Sequence, residues 1–220
     1  MTNAHFLNWI TELLSRQKRR PMGLLPDWEI KRLAEEEGMI YPFVDHKVRS
    51  HNDRKVVSYG LSSYGYDLRL SPKEFKIFHH IPDTVVDPKR FNPNNLIDAP
   101  LHYQSQDLGE LSEKFYIMPG HRYGLGFTLE KLKIPSDITV LFIGKSTYAR
   151  IGEIANLTPG EAGWYGHLTL ELSNSSCADC RIYADEGIVQ ALFFRGAPCF
   201  NPYGDGKYQN QGAGIVIARV

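Results

Sequence analysis

The chain has 220 residues, 42% of them hydrophobic, and is long enough for one domain with a sizeable core, with or without a helical appendage. Its 25 Lys and Arg balance 25 Asp and Glu, which argues against a nucleic-acid partner but leaves room for a nucleotide held by a few local cations. Three cysteines favour a reducing compartment over a disulfide framework. Neither a bilayer-spanning run nor a signal peptide is present, so we expect a cytoplasmic protein without a membrane partner.

The first predicted element is an amphipathic helix. Residues 5–20 carry apolar side chains at helical spacing and end in a basic run, whose cations complement the dipole at a helix C-terminus. Such a helix is expected to dock onto the same protein or onto its oligomer. A targeting or membrane-surface helix is the alternative, which Glu12 and the early polar residues disfavour.

A second helix is predicted over 27–37, DWEIKRLAEEE. Pro26 stands at its entry, and Gly38 supplies the left-handed conformation that commonly ends a helix. We therefore predict an N-terminal helical extension over 1–22 and a single domain over 23–220.

After Gly38 the pattern changes to short β-like runs separated by Gly, Pro, Asn and Asp. Many short strands with turn signals between them favour an all-β barrel or sandwich. The long polar stretch 81–112 is predicted to be a loop or a flap. The predicted strands are KVVSYG at 55–60, YDLRL at 66–70, EFKIF at 74–78, FYIM at 115–118, YGLGFTLE at 123–130, TVLFIG at 139–144, HLTLELS at 167–173 and GIVQALFF at 187–194.

The segment GKSTYAR at 144–150 has the composition of an anion-binding turn. Gly144 ends an apolar strand and lets the backbone turn, so that successive N–H groups can form a concavity for an anion. Lys145 adds a positive charge, and Ser146 and Thr147 add hydroxyls. The segment lacks the GxxxxGKS or GxxxxGKT pattern of a Walker A loop. An ordinary turn with an arginine on the surface is the alternative interpretation.

The strand at 167–173 carries a carboxylate among leucines. Its period of two places the leucines on one face and Thr169, Glu171 and Ser173 on the other. Alone, Glu171 is typical of a solvated surface residue. In company with the polar turn, and with Arg150 placed to hold it ionised, Glu171 becomes a candidate general base for a phosphorylated substrate.

Two further segments carry polar groups that could take part in a site. In YGDGKYQNQ at 203–211, Tyr203 could stack on a base, Lys207 could reach a phosphate and Gln211 could read polar edges, although an ordinary loop fits equally well. The CxxC at 177–180 lacks the HxE motif and the preceding proline of zinc nucleobase deaminases. We therefore expect no catalytic zinc and no other metal site.

Several long motifs in the same order give the chain a resemblance to the dCTP deaminase family, within the trimeric dUTPase-like superfamily. The resemblance implies a mainly β fold, a distorted β-barrel of the β-clip type with N-terminal helices. It also implies a homotrimer or hexamer with sites at subunit interfaces. The motifs are WEIKRLAEEEGMIYPF, VVSYGLSSYGYDLRL, GKSTYARIG, LTPGEAGWYGHLTLELSNSS, IYADEGIVQALFF and GKYQNQ, which together span residues 28–211.

The activity that the resemblance implies is hydrolytic deamination of dCTP to dUTP and ammonia. Mg²⁺ would enter only with the triphosphate of dCTP, and inhibition by dTTP or dUTP is a further expectation. Glu171 would be the general base and acid at cytosine C4, and Ser146 and Arg150 would position the water and stabilise the charged glutamate. The implied substrate-binding residues are Lys145, Ser146, Thr147, Tyr148, Ala149, Arg150, Glu161, Thr169, Leu170, Glu171, Gln190, Tyr203, Lys207 and Gln211.

Departures from the family pattern keep three alternatives open. Family members usually carry an apolar residue at the position of Glu153 and a bulky one at Gly160. These two positions bracket the segment expected to line the base pocket, so a 5-substituted dCTP is one alternative substrate. A bifunctional enzyme that releases dUMP is the second, and a non-catalytic nucleotide-sensing trimer is the third. A dUTPase is disfavoured because Thr147, not glycine, follows Ser146.

Overall fold

The computed structural model describes residues 21–51, 54–104 and 112–220. The helix predicted over 5–20 lies outside the described residues, and the division of the chain at residue 22 stays a prediction. None of the helices in the described residues is long and apolar enough to cross a membrane.

The helix predicted after Pro26 is confirmed as α1, Asp27–Glu37. It ends at Gly38, which takes the left-handed conformation (φ 69°) and donates its backbone N–H to the Leu33 carbonyl oxygen. A side chain there would strain the backbone, so glycine is the natural residue to end this helix. Ile30 and Leu33 are fully buried, which fixes α1 on the core.

The rest of the described chain is mainly β, and all eight predicted strands are confirmed. A second, short helix, α2, covers Ser146–Ala149, and a single 3₁₀ turn covers Pro93–Asn95. The strands are β1 Gly23–Leu24, β2 Ile40–Tyr41, β3 Lys47–His51, β4 Arg54–Ser62, β5 Gly65–Arg69, β6 Lys76–Phe78, β7 Leu96–Asp98, β8 His102–Gln104, β9 Glu113–Met118, β10 Tyr123–Lys133, β11 Ile138–Gly144, β12 Glu153–Ala155, β13 Thr158–Gly160, β14 Tyr165–Asn174, β15 Cys180–Tyr183 and β16 Gly187–Arg195.

These strands form three antiparallel sheets around one core. The first has seven strands in the order β13-β11-β16-β5-β4-β3, with β1 also paired to β16. The second has six in the order β12-β14-β10-β6-β7, with β2 also on β10, and the third is β15-β9-β8. Each order is an open path, so the barrel is distorted, as the resemblance implies. Inward side chains from all three sheets join in the core, among them Tyr66, Tyr116 and Phe193.

The stretch 81–112 is more ordered than the predicted loop or flap. It contains the 3₁₀ turn, β7 and β8, while residues 105–111 lie outside the described part. β7 pairs with β6, with Ile97 opposite Ile77, and β8 pairs with β9, with His102 opposite Phe115. Strands of three residues have too few alternating positions to stand out in a polar sequence, which is why the pattern missed them.

A buried ion pair joins two of the sheets. Arg69 of β5 donates from Nε to Glu130 Oε1 over 2.6 Å and from its backbone N–H to Glu130 Oε2 over 2.8 Å. Glu130, on β10, is fully buried, so burial raises the pKa of its carboxyl while Arg69 opposes that rise. The arginine also lies over the Tyr59 ring, 4.8 Å from its centre. The pair fixes how the six-stranded sheet, which carries Glu171, sits against the seven-stranded one.

Candidate active site

Glu171 lies in the middle of β14, directly opposite Leu125 of β10. Its carboxylate is half-buried and accepts a hydrogen bond at Oε2 from Thr158 Oγ1 over 3.1 Å. The Asn156 N–H donates to the Glu171 carbonyl oxygen over 2.9 Å. The strand therefore holds the carboxylate from its backbone, and Thr158 orients one of its oxygens.

A cavity of about 480 Å³ lies beside this carboxylate. Its size is within the range of cavities that hold small-molecule ligands. Most of its wall is apolar or aromatic, and its polar groups are few. Of the residues predicted for the site, the cavity brings together Glu161, Thr169, Glu171, Tyr203 and Gln211.

An aromatic wall flanks Glu171 on the β10 side. Tyr123 packs edge-on against Phe78, with ring centres 5.5 Å apart, and Phe78 packs edge-on against Phe91 at 5.9 Å. Burial, with a smaller contribution from the Glu171 charge, raises the pKa of Tyr123 to about 12. Tyr123 thus stays a neutral phenol at physiological pH, and the wall is a stacking surface for a planar ring.

The sequence pattern did not single out this wall. Phe78 ends a predicted strand, and Val86, Pro88 and Phe91 belong to the stretch predicted to be a polar loop or flap. The signal that could have found them is the presence of apolar and aromatic residues inside that polar stretch. Other lining residues that were not predicted are Tyr123, Leu125, Thr158, Pro159, Trp164, Leu168, Tyr208, Val216 and Ala218.

The C-terminal segment forms another side of the cavity. Thr169 Oγ1 donates to Gln211 Oε1 and accepts from the Val216 N–H, each over 3.1 Å. The Trp164 Nε1–H donates to the Tyr208 carbonyl oxygen over 2.8 Å. Residues 208–218 are therefore tied to β14 at several points and cover the cavity like a strap.

Gly166 is the point where this strap lies closest to β14. A Cβ at Gly166 would lie 2.7 Å from the Gln211 backbone nitrogen, and the residue has a φ of +148°. Gly166→Ala is therefore expected to displace the strap, raising the KM for nucleotide and the rate of tryptic cleavage after Lys207. Gly212→Ala is the matched control, because nothing lies within 4 Å of its added Cβ. If Gly166→Ala and Gly212→Ala are cleaved at equal rates, the close contact at Gly166 does not hold the strap against β14.

The predicted anion-binding turn lies apart from the cavity of its own chain. Ser146, Thr147, Ala149 and Arg150 are exposed in and after α2, and none of them lines the cavity. No ion pair joins Arg150 to Glu171 within the described part of the chain. The expectation that Arg150 faces Glu171 is therefore not met inside a single chain.

Two residues of the same turn are occupied by structural contacts. Lys145 Nζ donates to Asp67 Oδ2 over 2.6 Å and to Ser58 Oγ over 3.2 Å. Burial lowers the pKa of Lys145, and Asp67 opposes that shift. Tyr148 is buried, and its hydroxyl accepts from the Tyr183 N–H over 2.9 Å. These contacts fix the shape of the turn. The groups of the turn that remain exposed for a ligand are the hydroxyls of Ser146 and Thr147 and the guanidinium of Arg150.

The three remaining predicted residues also lie outside the cavity lining. Gln190 donates from Nε2 to Ser62 Oγ over 3.2 Å. Lys207 is exposed, and its ammonium lies 5.2 Å from the centre of the Tyr208 ring. Leu170 is buried in the core. Among the described residues, no group of three or more His, Cys, Asp or Glu side chains could hold a metal ion.

Comparison with known proteins decides the family. A family model described as dCTP deaminase-like matches residues 24–196. The chain belongs to the dCTP deaminase-like family. A dCTP deaminase of Stenotrophomonas maltophilia (strain R551-3) is 44% identical over 203 residues, which are 90% of this chain and 100% of that relative. A dCTP deaminase of Rickettsia canadensis (strain McKiel) is 46% identical over 199 residues, 89% of this chain and 98% of that relative.

A solved structure resembles the chain as well. It is the 2'-deoxycytidine 5'-triphosphate deaminase from Agrobacterium tumefaciens, with a TM-score of 0.49 and 17% sequence identity. The match covers 80% of this chain and 49% of that one, so this chain spans about half the length of that solved chain.

The two departures from the dCTP deaminase pattern differ in their relation to the cavity. Gly160 contributes backbone to the cavity, but a Cβ there would lie 2.9 Å from the Phe142 ring, so the ring fills the space that a side chain would take. Glu153 does not line the cavity. It is buried on β12, where Cys180 Sγ donates to its Oε2 over 3.2 Å and its Oε1 has no hydrogen-bond partner among the described residues.

The Glu153 carboxyl should make stability depend on pH. Burial raises its pKa from 4.5 to about 7, with the Cys180 hydrogen bond opposing that rise. Between pH 4.5 and pH 7 the folded state therefore keeps a proton on Glu153 that the unfolded state has lost. The stabilisation that this proton gives is fully present below about pH 4.5 and is lost as the pH rises through about 7. We expect Glu153→Gln to remove on the order of 3 kcal/mol of this decline. Urea unfolding of the wild type and of Glu153→Gln at pH 5 and pH 8 measures this decline. If the free energy of unfolding falls equally in both proteins, Glu153 is not its source.

Proposed function

We propose that the protein deaminates dCTP hydrolytically, giving dUTP and ammonia, without a catalytic zinc. The observation that carries the proposal is an oriented carboxylate, Glu171, at the edge of a mostly apolar cavity of about 480 Å³ in a chain of the dCTP deaminase-like family. The identity of 44% to a dCTP deaminase over its full length supports the same reaction.

Glu171 is the proton carrier in this proposal. Its carboxylate takes a proton from the water whose oxygen bonds to cytosine C4. The same group then delivers that proton to the amino nitrogen, which leaves as ammonia. The second proton of the water ends on ring N3, and its oxygen becomes the C4 carbonyl, so one water is consumed. The Thr158 hydrogen bond to Oε2 keeps one oxygen fixed and leaves Oε1 for the water. A positioned carboxylate of this kind contributes typically ~10²–10⁴-fold to the rate.

The cavity wall supports this chemistry by excluding water. Tyr123 and Phe78 offer an apolar aromatic surface to the pyrimidine ring, and the strap with Gln211 covers the opening. A closed site strengthens the interaction between the carboxylate and the charge that develops at the ring. Mg²⁺ would arrive with the triphosphate of dCTP, as a partner of the phosphates rather than of the protein.

The turn at 145–150 is proposed to complete the cavity of a neighbouring subunit in a trimer. Ser146, Thr147 and Arg150 are exposed hydroxyls and a cation that their own cavity does not use. A cyclic trimer places the same surface of each subunit against a different surface of the next. The arginine of one subunit can then stabilise the Glu171 of another. Lys145, paired with Asp67, acts in this arrangement by fixing the turn.

Mixing two inactive variants tests the shared site. Arg150→Ala and Glu171→Gln proteins, co-expressed in equal amounts, should form mixed trimers in which about a quarter of the sites carry both wild-type residues, because each site draws on two subunits. We expect about a quarter of the wild-type deamination rate. The control is the two variants purified separately and assayed together without exchange. If the co-expressed mixture is no more active than the two variants purified separately and added together, both residues belong to the site of one subunit.

Ammonia release from a panel of nucleotides tests the substrate. We expect dCTP to react faster than CTP or 5-methyl-dCTP, each supplied with Mg²⁺. The two residues that suggest a 5-substituted substrate are Glu153 and Gly160. Glu153 lies outside the cavity, and the Phe142 ring fills the space beside Gly160. A clear preference for 5-methyl-dCTP would overturn the choice of dCTP. Tight binding of dCTP without ammonia release would favour the nucleotide sensor.

A further inference from the structure

The loop between β14 and β15 and the first residue of β15 carry two cysteines that the proposed deaminase chemistry does not use. Cys177 is exposed, whereas Cys180, three residues later, is 8% exposed at the start of β15. The chain bends at residues 176–178, with Cys177 in the middle of the bend. Both thiols are free in this structure. An exposed thiol followed after two residues by a buried one is the arrangement in which a first thiol reacts and a second resolves the product.

Asn174 holds this loop in a compact shape. Its Nδ2 donates to the Met118 carbonyl oxygen over 3.1 Å and to the Ala178 carbonyl oxygen over 2.8 Å. Its Oδ1 accepts from the Ser176 N–H over 3.0 Å. Gly120 backs the loop, because a Cβ there would lie 2.4 Å from the Cys177 carbonyl oxygen. The loop is thus braced independently of any bond between the cysteines.

Glu153 supplies the observation that turns the cysteine pair into a site. Glu153 is 1% exposed and accepts a hydrogen bond from Cys180 Sγ over 3.2 Å, and in the part of the chain that the structure describes its Oε1 has no hydrogen-bond partner. Leaving a carboxylate oxygen buried without a partner is costly, so such a group invites a functional explanation. A carboxylate in contact with a buried thiol is placed to take the thiol's proton.

We propose that Cys177 and Cys180 form a redox-active dithiol, which small-molecule disulfides convert to an intramolecular disulfide with Glu153 as the proton acceptor. The Cys177 thiolate attacks the disulfide RSSR, forms a mixed disulfide and releases one thiol, RSH. Cys180 then gives its proton to Glu153, its sulfur attacks Cys177 Sγ, and the second RSH leaves. The two cysteines lose two electrons in total, and RSSR is reduced to two RSH.

The electrostatics of the pair agree with these roles. Burial, with the Glu153 charge, raises the pKa of the Cys180 thiol to about 12, so this thiol needs an internal base to react. Burial raises the pKa of Glu153 to about 7, which makes it a base in the physiological range. The other titratable groups that bear on Cys180 are Asp179 in the loop and Tyr148 in α2. Tyr148 stays neutral because burial raises its pKa.

The test uses dithiobis(nitrobenzoate), an aromatic disulfide that releases a coloured thiol at each step. The full-length protein carries Cys199→Ser, which removes the third, exposed thiol. We expect the coloured thiol to be released in two equal steps. The rate of the first, fast step should depend on the reagent concentration, and the rate of the second, slower step should not. Peptide mapping should then show a disulfide between Cys177 and Cys180. Adding Cys180→Ser should leave one release and a stable adduct on Cys177.

Glu153→Gln tests the proton acceptor with little change in shape. We expect the second release to slow by at least ~10-fold, and its rate to lose the rise through pH ~7 that the parent protein shows. The first release should be unchanged, because Cys177 has no contact with Glu153 in the described structure. A lasting adduct on Cys177 with Cys180 present would overturn the dithiol. A second release of unchanged rate in Glu153→Gln would overturn the role of Glu153.

Discussion

Replacing Glu171 by Gln is expected to lower the rate of dCTP deamination by ~10²–10⁴-fold, the usual contribution of a positioned proton carrier. Gln keeps the size of the side chain and can still accept the Thr158 hydrogen bond that orients Oε2. It cannot take a proton from water. The loss should therefore appear in kcat, while the dissociation constant for dCTP stays nearly unchanged. Steady-state kinetics and calorimetric titration of the variant measure the two quantities.

Glu35→Gln is the matched control for this result. Glu35 lies on the exposed side of α1, where its nearest ionic partner is Lys31 at 3.7 Å. The control should keep wild-type kcat and KM. If Glu171→Gln keeps the full rate, Glu171 is not the proton carrier. If it loses dCTP binding in proportion to kcat, the carboxylate holds substrate rather than acting on it.

The largest effect on stability is expected from Arg69→Leu. The change leaves Glu130 fully buried with no charged partner, and breaking a buried ion pair in this way costs ~3–5 kcal/mol. It also removes the side-chain link between β5 and β10, whereas the backbone N–H of residue 69 can still donate to Glu130 Oε2. Because burial raises the pKa of Glu130, a proton can relieve the buried charge at low pH. The variant's deficit should thus be smaller at pH 5 than at pH 8.

Urea unfolding of the variant at the two pH values gives the measurement. Arg49→Leu is the matched control, since Arg49 is exposed on β3. The double variant Arg69→Leu, Glu130→Leu should recover part of the loss, because the unpaired charge is gone. If Arg69→Leu lowers the free energy of unfolding no more than Arg49→Leu does, the ion pair between Arg69 and Glu130 does not stabilise the fold as expected.

Local sequence patterns predicted the elements of this fold well because each rests on neighbouring residues. Gly38 ends α1 through its own backbone conformation, and the alternation in β14 follows from the pleat of a strand. The leucines of that strand are buried as expected, and Glu171 reaches the cavity. The carboxylate among leucines therefore marked a residue that lines the cavity.

Features that depend on distant partners could not be predicted in this way. Lys145 looked like a free cation, but Asp67, 78 residues away, pairs with it. Glu153 begins a segment that is expected to line the base pocket, but the pairing of β12 with β14 and the packing of β15 place its own side chain against Cys180, outside the cavity. The separation of Arg150 from Glu171 is a further case, because no pattern within one chain shows which surface meets a neighbouring subunit.

Chromatography of the products formed from dCTP and Mg²⁺ is the most direct test of the central claim, that the Glu171 cavity deaminates dCTP. We expect dUTP and ammonia in equal amounts, at a rate that a zinc-selective chelator leaves unchanged. Release of dUMP and pyrophosphate would show bifunctional chemistry that the proposal does not include. Unchanged dCTP in the presence of well-folded protein would contradict the account.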